Sequence, residues 1–262
     1  MECSRCHRDN AAGAKFCGEC GARLETACAV CGTVNPSGNK FCHECGTALG
    51  GAASGDARFA SPDAYTPSHL ARKILTARAS LPGERKKVTV LFADLKGSLE
   101  LLADRDPEDA RALLDGVLER LMEAVHRFEG TVNQVMGDGI MALFGAPVAH
   151  EDHAMRACYA ALRMHRSVAQ HAEELRRHQG VDMQIRVGIN SGDVVVRSIG
   201  NDLNVEYSAV GQTTHLAARM EQLATPGTIR LTANTLALAE GYIAEKVIGP
   251  VPVKGIAQPV EV

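Results

Sequence analysis

Eight of the nine cysteines fall in the first 45 residues, and they fall twice in the same pattern. Cys3, Cys6, Cys17 and Cys20 recur 25 residues later as Cys28, Cys31, Cys42 and Cys45. Each half closes on a near-identical knuckle, Lys15-Phe16-Cys17-Gly18-Glu19-Cys20-Gly21 against Lys40-Phe41-Cys42-His43-Glu44-Cys45-Gly46. Segments this short cannot bury enough apolar surface to fold unaided. Four thiolates from two Cys-x-x-Cys pairs make a closed tetrahedral zinc site, which is structural because no coordination position remains for water. Metal binding then supplies the folding energy. Residues 1–49 therefore read as a double zinc ribbon with two structural Zn²⁺, one on Cys3, Cys6, Cys17 and Cys20, the other on Cys28, Cys31, Cys42 and Cys45. Redox dithiols are the alternative, but nothing thioredoxin-like surrounds these pairs.

The N-terminus lacks the apolar core of a secretory signal, and no apolar run approaches the ~18–20 residues needed to span a bilayer. The expected location is the cytoplasm, where such cysteine pairs read as metal ligands rather than disulfides. The net charge of −3 excludes a generally basic surface made for nucleic acid or anionic membrane. Residues 1–49 carry five Lys/Arg against five Asp/Glu, with Phe16 and Phe41 as their only aromatics. Nucleic-acid binding, which wants a basic face with stacking groups, is disfavoured, and a protein-docking or regulatory role is expected for the ribbons.

Residues 50–84 read as a linker, rich at first in Gly, Ala, Ser and Pro, followed by a short helix opened by Pro67 and Ser68 with Leu70, Ile74 and Leu75 as its apolar stripe. From residue 85 to 262 strands and helices alternate. Val88 to Ala93 suits a buried strand. Asp106-Pro107-Glu108-Asp109 opens a helix with a capping residue, proline at the first position and acids on the positive end of the dipole. Leu113, Leu114, Val117, Leu118, Leu121, Met122 and Val125 share one face of it. Thr131–Met136 and Ile140–Phe144 form a hairpin around Gly137-Asp138-Gly139. A long helix over 150–178 follows, with Met155, Cys158, Leu162, Ala169 and Ala172 inward and His150 and His153 in its opening turn. Strands are expected near 183–189, 193–199 and 205–209, a helix over 212–223 with Leu216, Met220 and Leu223 on its core face, then a strand, a helix and a strand. Hairpins in a mixed order argue for an α+β sandwich, not a doubly wound sheet. The chain stops at Val262 inside an expected strand, which reads as an engineered truncation.

Two carboxylates carry the chemistry. Asp94 ends a buried strand and Asp138 sits in a glycine-flanked turn. Two such aspartates suit hard cations bridged to phosphates, the arrangement expected for phosphoryl or nucleotidyl transfer. Read structurally, Asp94 ends a strand and Asp138 forms a turn, as Asp often does.

Three stretches resemble the catalytic domain of class III nucleotidyl cyclases. They are Val88-Thr89-Val90-Leu91-Phe92-Ala93-Asp94-Leu95-Lys96-Gly97, Met136-Gly137-Asp138-Gly139-Ile140-Met141-Ala142-Leu143-Phe144-Gly145 and Gly211-Gln212-Thr213-Thr214-His215-Leu216-Ala217-Ala218-Arg219. The resemblance spans about residues 85–262. It implies a ferredoxin-like α+β fold and a homodimer with its active site between two copies. It further implies two Mg²⁺ or Mn²⁺ on Asp94 and Asp138, and cyclisation of a nucleoside triphosphate, ATP by default, to a 3′,5′-cyclic nucleotide and pyrophosphate. By the same resemblance Arg219 stabilises the transition state and Lys254, in Val253-Lys254-Gly255, grips the triphosphate.

Three positions depart from the family pattern. Gln134 stands where a lysine or glutamate usually meets the purine, Ser208 where an aspartate or threonine does, and His215 where an asparagine orients the ribose. An amide and a hydroxyl both donate and accept, so neither imposes a charge-coded choice of base. These departures motivate a rival expectation, a nucleotide-sensing or dimerising module with weak or no turnover. A third expectation puts the biological weight on the ribbons, with the catalytic fold a scaffold.

Overall fold

The computed structural model describes residues 6, 8, 17–20, 25–27, 33–36, 59, 62–78, 85–97, 105–195, 212–256 and 258–262. The chain divides into two compact units, Met1–Ala60 and Ser61–Val262. In the first, strand β1 (Glu25–Ala27) pairs antiparallel with β2 (Val34–Pro36).

The second unit opens with helices α1 (Pro62–Tyr65) and α2 (Ser68–Arg78). Leu70 and Ile74 of α2 are buried against Val148, and Lys73 forms an ion pair with Glu129. Leu75, expected on the same stripe, is exposed, because two residues a full turn apart already fill the contact.

A five-stranded sheet forms the centre, in the order β4-β5-β3-β6-β7. Its strands are β3 (Arg85–Leu95), β4 (Thr131–Met136), β5 (Gly139–Phe144), β6 (Ile185–Val195) and β7 (Ile229–Leu231). All neighbours are antiparallel except β6 and β7. β3 is central and its middle is fully buried, as its β-branched run requires. Helix α3 (Pro107–Arg127) starts on Asp106, whose carboxylate accepts from the Glu108 N–H at 3.0 Å, and buries the expected apolar face apart from the half-buried Leu114. Helices α4 (His153–Gln179), α5 (Gln212–Leu223) and α6 (Ala233–Ala239) complete the layers, with a small ribbon of β8 (Pro250–Val251) and β9 (Val260–Glu261). The face of β3 carrying Val88 and Val90 packs on Ala217 of α5, whereas Thr89, on the other face, bonds His153 of α4. Helices therefore cover both faces of the sheet.

Several expectations are corrected. The strands expected near 183–189 and 193–199 are one eleven-residue strand, β6, paired with β3 along its whole length. Asn190-Ser191-Gly192 falls between the two expected strands, but both polar side chains are buried and hydrogen-bonded, so the ladder continues through them. In α4 the inward face is Ala154, Ala157, Cys158, Ala161, Met164, Val168 and Ala172, whereas Leu162 is 50% exposed and Ala169 exposed. Small alanines let the helix lie close to the sheet, and large residues alone misplace the face by part of a turn. Glu151 and Asp152 precede α4 instead of occupying its first turn, and Asp152 bonds Arg156 at 2.7 Å in place of a helix N–H. In α5 the buried residues are Thr213, Ala217, Met220 and Glu221, with Leu216 and Leu223 half-buried. The expected strand near 205–209 lies outside the described residues. Among the described residues no helix is long and apolar enough to cross a membrane.

Candidate active site

Asp94 lies on β3 directly between Gly139 of β5 and Arg186 of β6 in register. A Cβ at Gly139 would sit 2.6 Å from the Ala93 carbonyl oxygen and 2.8 Å from Asp94 Oδ1, so only glycine fits beside the carboxylate. Gly137, at φ +69°, turns the hairpin left-handed and brings Asp138 over the same strand end. The two carboxyls, 44 residues apart in sequence, come close enough for the charge of Asp138 to act on Asp94.

Arg186 Nη2 donates to Asp94 Oδ2 at 3.0 Å and forms an ion pair with Glu221 Oε1 at 2.8 Å. Burial raises the Asp94 pKa, the negative charge of Asp138 raises it further, and Arg186 opposes both. Glu221 is raised mainly by burial, held back by Arg186, and pushed up again by Asp94 and Asp138. Two carboxylates thus hold one guanidinium, and the charge of a third, Asp138, acts on both of them. The cluster is short of positive charge and rich in hard oxygen donors, which fits divalent cations. Arg186 and Glu221 were not singled out in the sequence. A charged residue among the apolar Ile185, Val187 and Ile189 was the available signal for Arg186.

Helix α5 presses close to β6. A Cβ at Gly188 would meet Glu221 N at 2.0 Å, and one at Gly192 would meet Thr213 Oγ1 at 2.7 Å. This contact carries Glu221 into the cluster. Arg219, two residues earlier, projects about 200° around the helix from Glu221. It is half-exposed and donates to Gln222 Oε1 at 2.5 Å. His215 is exposed one turn before it. Gln134 is exposed at a bulge in β4 opposite Met141, which in turn pairs with Phe92, so it shares the sheet face of Asp94. Lys254 is exposed in a turn with Gly255 at φ +89°, between β8 and β9. Ser208 lies outside the described residues. The structure therefore unites Asp94 and Asp138, and it sets Arg219 on the far side of its helix from them.

In the N-terminal unit, Cys6, Cys17 and Cys20 bring their sulfurs within 4.8 Å of one another, with Cys6 and Cys17 at 3.5 Å. Thiolates held about 2.3 Å from a tetrahedral zinc lie roughly 3.8 Å apart, so the set fits. Cys3, Cys28, Cys31, Cys42 and Cys45 lie outside the described residues. Cys158 is buried in α4, and burial pushes its thiol pKa up to about 11, as suits a core residue.

The family model described as adenylate and guanylate cyclase catalytic domain matches residues 82–261, and the double zinc ribbon model matches residues 3–46. The chain belongs to the adenylate and guanylate cyclase catalytic domain family, with a double zinc ribbon at its N-terminus. It is 31% identical over 159 residues, 60% of its length, to adenylate cyclase 1 of Rhizobium meliloti (strain 1021). The solved adenylyl cyclase CyaB from P. aeruginosa matches with a TM-score of 0.65 at 29% identity, covering 69% of this chain and 94% of that one. The guanylyl cyclase Cya2 matches with a TM-score of 0.63 at 30% identity, covering 69% and 92%. The chain spans about a quarter of the length of the curated cyclase it matches, 24%, and about a third of the length of several mycobacterial relatives, 34%.

Proposed function

We propose that this chain is a nucleotidyl cyclase that converts a nucleoside triphosphate, ATP by default, to a 3′,5′-cyclic nucleotide and pyrophosphate in a homodimer. The meeting of Asp94 and Asp138 beside Gly139 carries the most weight. Two Mg²⁺ or Mn²⁺ on these carboxylates would neutralise the triphosphate and ease ionisation of the ribose 3′-hydroxyl. Arg186 keeps Asp94 oriented and balances part of the negative charge. In the reaction the ribose 3′-oxygen bonds to the α-phosphorus, the bond from that phosphorus to the pyrophosphate oxygen breaks, and the 3′-hydroxyl proton passes to water.

Arg219 stabilises charge on the transferring phosphate. Because it points away from the carboxylates of its own chain, it serves the aspartates of a second copy, which supports a site shared by two chains. Lys254 holds phosphates, His215 faces the ribose, and Gln134 and Ser208 face the base. Two structural Zn²⁺ on the eight N-terminal cysteines hold the ribbons, which serve as a docking or regulatory module. The cytoplasm is the proposed location.

Mass spectrometry of products from each of the four nucleoside triphosphates with Mn²⁺, beside an Asp138→Ala control, tests the activity. A cyclic product from wild type and none from the control is expected. Nucleotide binding without any cyclic product would replace the enzyme with the sensing module.

A further inference from the structure

Away from the carboxylate cluster, seven buried residues join in one line of hydrogen bonds across the sheet. His153 Nδ1 lies 2.7 Å from Thr89 Oγ1, which lies 2.7 Å from Ser191 Oγ. Ser191 Oγ is 3.0 Å from Thr235 Oγ1, and Thr235 is 3.4 Å from Thr232 Oγ1. Thr232 reaches Asn190 Oδ1 at 2.7 Å, and Asn190 Nδ2 donates to the Thr213 carbonyl in the first turn of α5 at 2.9 Å. All seven are buried.

The direction of every bond follows from its end. The Asn190 amide donates to Thr213, so its oxygen can only accept, and Thr232 must donate to it. A hydroxyl has one proton. Thr232 therefore accepts from Thr235, Thr235 from Ser191, and Ser191 from Thr89. Thr89 has then used its proton and must accept from His153, which fixes that imidazole with its proton on Nδ1. Chains running one way polarise one another and are high-stakes when broken.

Thr232 shows where the priority lies. It occupies the N-cap of α6, where a threonine hydroxyl ordinarily accepts a helix N–H, yet its side chain makes no capping bond. At the other end Thr213 is held twice, by Asn190 on its carbonyl and through its own hydroxyl on the Asp193 carbonyl at 2.8 Å. These two bonds grip α5 where Gly188 and Gly192 leave no side chain between helix and strand.

We infer that Asn190 and Thr232 are positioning residues: through this one-way chain they set the rotation of α5, and with it the placement of Arg219 and His215. The activity arm of the test rests on the cyclase proposed above. In the full chain with Mn²⁺ and ATP, Thr232→Val lowers kcat roughly tenfold or more with KM within about twofold, since small misplacements of a reacting constellation suffice for that. Thr232→Ser restores it, and α5 amides exchange faster in Thr232→Val alone. Independently of activity, ¹⁵N NMR of wild type shows neutral His153 protonated on Nδ1. A wild-type His153 protonated on Nε2 overturns the proposal, as does a folded Thr232→Val with unchanged kcat and unchanged α5 exchange. If Thr232→Val does not fold, the His153 tautomer and its change in Thr89→Val decide. If wild type yields no cyclic product, the cyclase reading falls while the NMR and exchange results still judge the chain.

Discussion

At the scale of single residues, Arg186 decides how the carboxylate cluster behaves. It contacts both Asp94 and Glu221, and all three are largely screened from water. Arg186→Met leaves those carboxylates and Asp138 facing one another without their cation. The expected loss is about 2 kcal/mol in chelator-treated buffer, because a partly buried charge loses its partner. Added Mn²⁺ restores more of the melting temperature in this variant than it adds to wild type. Thermal scans with and without Mn²⁺ check this, and an equal Mn²⁺ effect in both proteins would count against cations in the cluster. Gly139→Ala is expected to lose about 1–3 kcal/mol by overpacking against the Ala93 carbonyl, and to displace Asp94. Asp94 and Asp138 stood out beforehand on a strand end, a glycine-flanked turn and the motifs of the family resemblance. Arg186 and Glu221 did not. Their meaning arises only when three strands come into register and α5 docks, and neither event has a local signature in the chain.

At the scale of elements, the contact between α5 and β6 is the sensitive joint. Gly188→Ala puts a methyl where the Glu221 backbone already stands, and we expect at least about 3 kcal/mol of lost stability and mostly insoluble protein, read by expression and denaturant melts. Asp106→Ala, which removes the α3 cap, should lose about 1 kcal/mol. Element types were readable from periodicity over most of the second unit, including the limits of α5. The misplaced leucines of α4 and α5 share a cause. Leu162, Leu216 and Leu223 were placed inward because large apolar residues were given the core, whereas Ala157, Ala161 and Ala217 hold it. Close helix-to-sheet packing favours small residues, and a pattern of large ones then points beside the true face. The two expected strands on either side of Asn190-Ser191-Gly192 join for a related reason: polar residues continue a strand when partners across the sheet satisfy them.

At the scale of the whole molecule, buried histidines set the acid limit. Burial, reinforced by the nearby His69, lowers His126 to about 4 from an unperturbed 6.5. His150, His153, His165 and His171 shift in the same direction, also chiefly through burial. The unfolded chain binds protons on His126 between about pH 6.5 and 4 while the folded chain does not, so stability rises with pH across that window and is lost as pH falls through it. For His126 the full loss is at most about 3 kcal/mol. Melting temperature should drop from pH 7.5 to 5, and His126→Gln should flatten the drop. The N-terminal cysteines give a separate readout. A thiol reagent should find no accessible cysteine in zinc-replete protein and the eight N-terminal thiols after chelation, with Cys158 reacting only on global unfolding.

The account depends on Asp94 and Asp138 jointly holding divalent cations against a triphosphate. Calorimetric titration of Mn²⁺ into protein saturated with a non-cyclisable triphosphate measures this directly. Wild type should bind two ions per site, and Asp94→Ala and Asp138→Ala should each lose at least one while remaining folded. An unchanged number of ions in both folded variants would contradict it.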